Sequence, residues 1–268
     1  RLTRPVDEPM QPVTELKPLA LPTQTPLLPV YSLDEKGVVR QHLPTAQTRF
    51  IEGRYDKTSH SGTPVYHFFH IATQFMKGED ARFEGIDPAK IRRKPAADWL
   101  LDARHFRRVG DAQLYPIDFT NAYNDVETPA PWQSAFGQIY VFKAFYQSRL
   151  DTTADQGLLR KQLIRVFNGF QHPVKDGGLV ARSKSGLDFA EEVPNETHIL
   201  NAHMTVTSTL IEAGQELNHS AMISTGQSFL HPLREYAHLY DAGYWTRYDL
   251  NPKKEILLQI ALRSGDAG

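Results

Sequence analysis

Two adjacent carboxylates, Glu191 and Glu192, stand just ahead of Val193-Pro194-Asn195 and a helical pattern that opens near Glu196. A carboxyl group so placed can act as a general acid or base if burial tunes its pKa. Acids near a helix N-terminus also complement the macrodipole, so either use is open for this pair. Asn201 follows among Ile199, Leu200 and Ala202; if buried, its amide must be hydrogen-bonded, to the protein or to a ligand hydroxyl. His203, on the same helix, reads as a core histidine. A second polar stretch gathers Tyr240, Tyr244, Trp245 and Tyr248 about Gly243, with Asp241, Arg247 and Asp249 between them. Aromatic faces stack on sugar rings and a guanidinium can fork a carboxylate, although the same aromatics could form the packed side of a hairpin. In a third stretch, Pro131-Trp132-Gln133-Ser134, then Gln138, the i,i+4 spacing of Ser134 and Gln138 is expected to let both face one site.

Other chemistry is weakly supported. The chain has no cysteine, which excludes disulfides and thiolate metal sites. His67 and His70 have helical i,i+3 spacing but no carboxylate at ligand distance in sequence, so no metal and no cofactor is expected. No phosphate-cradling glycine loop of the P-loop or dinucleotide type is present. A net charge of −1 gives no global basic field, so no nucleic acid is expected as a partner. The cluster Arg92-Arg93-Lys94 with Arg104, Arg107 and Arg108 could flank an anionic chain or form a solvated helix surface. No apolar run reaches the ~18 residues of a membrane span. The chain opens at Arg1, as expected of a processed or trimmed polypeptide.

The elements that must position these residues are mainly helical. Residues 1–30 carry seven prolines and predict an extended arm. A short hairpin is expected from Val30 to Val39, turning at Asp34-Glu35-Lys36-Gly37. Apolar periodicity predicts helices over 65–76, 96–106 (entered at Pro95), 133–146, 157–170, 196–217, 220–239 with an interruption at Pro232, and 253–262. Residues 177–190 predict a second hairpin. The expected organisation is an arm with a hairpin over 1–60, then a domain over 61–268. That domain is mainly α, an incomplete α/α barrel (toroid) of antiparallel helix pairs with short β-hairpins on the connecting loops.

Taken in order, the polar stretches resemble the C-terminal domain of D-glucuronyl C5-epimerases, the enzymes of heparan sulfate and heparosan maturation. The resemblance rests on Pro131-Trp132-Gln133-Ser134-Ala135-Phe136-Gly137-Gln138, on Glu191-Glu192-Val193-Pro194 with Leu200-Asn201-Ala202, and on Leu239-Tyr240-Asp241-Ala242-Gly243 with Tyr248-Asp249-Leu250. Upstream, Ala96-Ala97-Asp98-Trp99-Leu100 resembles a further family helix. It implies an α/α barrel and a reaction that removes the proton beside a uronate carboxylate and returns one from the other face. Glu192 and Tyr248 would then be catalytic, and Gln138, Asn201, Arg247, Tyr240, Tyr244 and Trp245 would bind substrate. The implied partner is an acidic polysaccharide, the implied location secreted or periplasmic, and a homodimer is one assembly to consider. Val193 stands where the family has tyrosine, Asn251 where it has arginine, and its Tyr-His-x-x-His motif has no counterpart in this sequence. The second acid–base group is therefore unassigned, with Tyr244, Tyr115 and Tyr66 as candidates. A lyase, a hydrolase pairing Glu192 with Asp188, Asp241 or Asp249, and a non-catalytic glycan-binding or assembly module are the alternatives.

Overall fold

A computed structural model describes residues 30–43, 50–51, 54–55, 64–123, 126–150, 155–182, 186–194, 197–241 and 247–250. The proline-rich residues 1–29 and the helix expected over 253–262 lie outside these. The first hairpin forms as expected: β1 (Tyr31–Leu33) pairs antiparallel with β2 (Val39–His42). Asp34 makes the turn, its Oδ1 accepting from the backbone N–H groups of Lys36 and Val38. Two further two-residue strands, β3 (Phe50–Ile51) and β4 (Arg54–Tyr55), pair with each other, and β5 (Pro64–Val65) adds to β2.

Among the described residues seven α-helices follow: α1 (Phe68–Lys77), α2 (Arg93–Leu101), α3 (Ala135–Ser148), α4 (Gln156–Asn168), α5 (Leu200–Glu216), α6 (Ser220–Ser228) and α7 (Leu230–Tyr240). The fold is mainly helical with small antiparallel sheets. Between α2 and α3 lie two hairpins, β6 (Arg107–Val109) with β7 (Ala112–Leu114) and β8 (Asn121–Tyr123) with β9 (Val126–Thr128). Between α4 and α5 lies the hairpin of β10 (Val180–Arg182) and β11 (Asp188–Ala190).

Helix α3 is central. It packs on α1, α4 and α5, and Ile139, Phe142 and Phe145 lie on it fully buried. Its first turn is capped by Ser134 Oγ, which accepts from Gly137 N at 3.1 Å. The α5–α6 pair is the most extensive helix contact among the described residues, and glycines let the two approach closely. A Cβ on Gly226 would lie 2.6 Å from the Ile211 side chain, and one on Gly214 would lie 2.8 Å from Ile223. Gln74, fully buried on α1, ties the first hairpin to the helices. It accepts from Val39 N and donates to Gly37 O and Arg92 O. No helix among the described residues is long and apolar enough to cross a membrane.

Two boundaries differ from expectation for one reason. Helix α2 begins at Arg93, so Pro95 is its third residue; α7 begins at Leu230, so Pro232 is its third residue. A proline in the first helical turn lacks an N–H that would have no intrahelical partner anyway, so it starts a helix there without kinking it. Helix α2 stops at Leu101, short of Phe106, because Asp102 accepts from Arg104 N and turns the chain into β6.

Candidate active site

The three polar stretches are joined by backbone hydrogen bonds. Glu191 O accepts from Ala135 N, in the first turn of α3, and Glu191 N donates to Leu179 O. Leu200 N, the first N–H of α5, donates to Tyr248 O, and Leu250 N donates to Thr197 O. Helix α5 has no side-chain cap, so the 247–250 segment satisfies one of its open N–H groups. Tyr240 closes the group, its hydroxyl donating to His198 O at 2.6 Å.

Glu191 and Glu192 sit in unlike surroundings. Glu191 is 1% exposed, and its carboxylate contacts His198 Nδ1 and accepts from His198 N. It lies well upstream of α5, so it is a buried paired acid and not a helix-terminal charge. Glu192 has a buried Oε2 with no hydrogen-bond partner among the described residues. Burial alone pushes its carboxyl up from 4.5 to about 7. His203 is fully buried; its Nδ1 accepts from Ala190 N and its Nε2 meets Phe229 O, which fixes the neutral tautomer with the proton on Nε2. Desolvation pulls it down to about 4.

The other expected site residues scatter. Gln138 is fully buried, with Oε1 accepting from Tyr115 N and Nε2 donating to Gln113 O, so its amide locks α3 to β7. Asn201 is exposed on the first turn of α5. Tyr248 is 48% exposed beside it, and Arg247 donates its backbone N–H to Tyr240 O. Tyr240 is almost fully buried; burial first, then Glu191 and Asp249, raise its phenol. Tyr244 and Trp245 lie outside the described residues. Of the other tyrosines considered, Tyr115 is fully buried with its hydroxyl donating to Leu100 O, and Tyr66 donates to Asp34 near α2. His67 caps α1 through Nδ1. Among the described residues no three His, Asp or Glu side chains are placed to hold a metal ion.

A cavity of about 900 Å³ opens alongside, lined by Phe170, Lys175, Val180, Arg182, Glu191 and Phe229 among others. Arg182 is forked onto Asp188 at 2.7 and 2.9 Å. Lys175 makes no ion pair among the described residues, which leaves one cation for an anionic ligand. Glu192 is not among the residues lining this cavity.

His198 was not singled out in the sequence. The helix expected from Glu196 absorbed it, whereas α5 begins at Leu200 and leaves His198 in the loop at φ +48°. The available signal was a histidine seven residues after Glu191, in a stretch already rich in proton-carrying groups.

Residues 110–259 match the family described as D-glucuronyl C5-epimerase C-terminus. The match takes in all three polar stretches and begins after Ala96-Ala97-Asp98-Trp99-Leu100. An uncharacterized protein of Methanocaldococcus jannaschii is 27% identical over 123 residues, which is 44% of this chain. That stretch is 39% of the relative, so the chain spans about two fifths of the curated protein it matches. On a match that covers more than half of its residues, the chain belongs to the D-glucuronyl C5-epimerase C-terminal family.

Proposed function

We propose that this chain modifies an acidic polysaccharide by C5 epimerisation of its D-glucuronyl residues, with Glu192 as one acid–base group. The observation that carries the reading is the Glu192 carboxyl: half-buried, with a buried Oε2 that has no partner among the described residues, and raised to about 7 by desolvation. A carboxylate near neutrality can both take a proton from carbon and give it back at working pH. Tyr248, at the family's tyrosine position, would donate to the negative charge that develops on the substrate carboxylate. The neighbouring cavity, with Lys175 and the apolar faces of Phe170 and Phe229, would hold adjoining sugars of the polymer. In this reading the helices form part of an incomplete α/α barrel and the protein works in a secreted or periplasmic setting.

The test is incubation of the full chain with heparosan in deuterated water. Deuterium at C5 with formation of L-iduronyl residues supports the reading. An unsaturated product absorbing in the ultraviolet would make the protein a lyase, chain shortening without that absorbance a hydrolase, and no exchange at all would remove epimerisation. A second reading, a glycan-binding module without catalysis, is favoured by Val193, a 2%-exposed core residue where the family has tyrosine. It expects Glu192→Gln to leave glycan affinity unchanged while the wild type shows no exchange.

A further inference from the structure

Five observations converge on His198. Its Nδ1 is in contact with the carboxylate of Glu191, which is buried and also accepts from the His198 backbone N–H. Its backbone sits at φ +48°, a left-handed conformation that side chains with a Cβ adopt rarely and that clusters at functional sites. Its carbonyl is held by the Tyr240 hydroxyl, so the unusual backbone is braced from α7. Its ring packs against Phe189, with centroids 4.5 Å apart, and Tyr236, at 6.0 Å and nearly parallel. The side chain stays 17% exposed while that of Glu191 is 1% exposed. The carboxylate is thus almost out of solvent, the imidazole is partly exposed, and Nε2 has no hydrogen-bond partner among the described residues. A carboxylate behind an imidazole fixes the tautomer and orientation of the ring.

We infer that His198, positioned by Glu191, is the second proton-transfer group of this site, acting on the face of the uronyl ring opposite Glu192. The inference rests on the epimerase reading above and supplies the group that the sequence motifs left unassigned. From D-glucuronyl to L-iduronyl, the Glu192 carboxylate takes the C5 proton and the electron pair of the C5–H bond passes into the substrate carboxyl group. The imidazolium of His198 then gives its Nε2 proton to the other face of C5, and the electron pair returns to form the new C–H bond. Glu192 ends protonated and His198 neutral; loss of a proton from one to solvent and uptake of one by the other restores the starting state. The reverse reaction exchanges the two roles. His198 is the catalytic residue, and Glu191 is a positioning residue because it acts through the imidazole. Two adjacent carboxylates thereby serve opposite ends of one reaction, one bare and one committed to a histidine.

The experiment separates exchange from inversion. His198→Asn is the variant to use, because asparagine tolerates a positive φ better than other non-glycine residues and so preserves the loop. With heparosan in deuterated water, the full-chain variant is expected to keep C5 exchange in D-glucuronyl residues within about threefold of wild type, since Glu192 is untouched. Formation of L-iduronyl is expected to fall by about a hundredfold or more, within the range that one general acid–base group contributes. Inversion within tenfold of wild type, or exchange and inversion falling together in a folded variant, overturns the assignment. No exchange by the wild type overturns the epimerase reading itself, and with it this one; an active wild type with an unaffected variant overturns His198 alone. If His198→Asn fails to fold, two measurements stand in for it. Nitrogen-15 spectra of the neutral ring in the wild type should show the proton on Nδ1, and a proton on Nε2 refutes the dyad. Glu191→Gln should lower inversion more than exchange, and an equal loss of both refutes it.

Discussion

Ionisation of Glu192 should leave a measurable signature on folding. Its carboxyl is raised from 4.5 to about 7 by burial alone, with no charged neighbour contributing. At 1.36 kcal/mol per pKa unit this corresponds to about 3 kcal/mol between the two protonation states. The sign follows from proton counting. Between pH 4.5 and 7 the folded protein holds this proton and the unfolded chain has released it, so the Glu192 contribution to stability falls as pH rises. It is fully present below 4.5 and lost above 7. Glu192→Gln keeps the shape and abolishes the ionisation. The variant should match wild type near pH 4 and exceed it by about 3 kcal/mol near pH 8.

The difference between the two proteins is what must be measured, because the wild-type profile mixes opposing slopes. Burial pulls His67 down to about 4, His70 to about 3 and His203 to about 4. In the unfolded chain each binds a proton below about 6.5 that the folded protein refuses, so each makes stability rise with pH over its own window. Those slopes oppose that of Glu192 and cancel in the difference, since none of these histidines appears among the causes of the Glu192 shift. Urea denaturation of both proteins at half-unit steps from pH 4 to 8.5 is the assay. A difference that stays flat within about 0.5 kcal/mol would show that the Glu192 carboxyl is solvated, and the case for a tuned acid–base group would go with it.

Three other perturbations test the framework that holds the site. Gln74→Ala removes a side chain with three hydrogen bonds to hairpin and helix backbone and should cost about 2–4 kcal/mol in urea denaturation, with faster amide exchange at Val39. Gly226→Ala puts a methyl 2.6 Å from Ile211 Cγ1 and 3.0 Å from Ile211 N, so α5 and α6 must separate; a loss of about 1–3 kcal/mol is expected, and a gain would refute the close approach. Tyr240→Phe removes the hydroxyl that holds His198 O and should cost about 1 kcal/mol in the same assay, with no loss expected if that bond is absent in solution.

The helical skeleton was legible because α1, α3, α4 and α5 each carry a sustained apolar stripe, such as Leu159, Leu163, Val166 and Phe167 along α4. The short strands of 107–128 were not. Arg107-Arg108-Val109 and Ala112-Gln113-Leu114 are three-residue strands, too brief for alternation to show, and Gln113 is buried where the pattern expects a polar outward residue. Side-chain direction was the other blind spot. Ser134 and Gln138 were expected to face one site, but Ser134 caps α3 and Gln138 bonds to β7, so spacing alone could not tell a cleft from a hydrogen-bonded core. The paired acids were visible and their unlike surroundings were not, because those depend on where α5 begins. Uncapped by any side chain, α5 starts at Leu200, where Tyr248 O arrives from a segment nearly fifty residues later in the chain.

That long-range capping explains why a loop can hold two carboxylates in opposite environments. Ala190 N is held by His203, Glu191 N by Leu179 O, and Glu191 O by Ala135 N, so the chain entering the pair is fixed from α5, from the β10 side and from α3. Just beyond, Val193 is buried and anchors the chain leaving the pair. With both flanks set, the two side chains are not interchangeable: one is directed onto His198, and the other has a buried Oε2 with nothing to bond among the described residues. Residues held by rigid elements on every side keep their geometry through a reaction, which a loop anchored at one end could not do. Valine at position 193 would then be part of this arrangement. On the epimerase reading, a valine that fills core space where the family carries tyrosine would leave proton delivery to another residue, the role proposed above for His198.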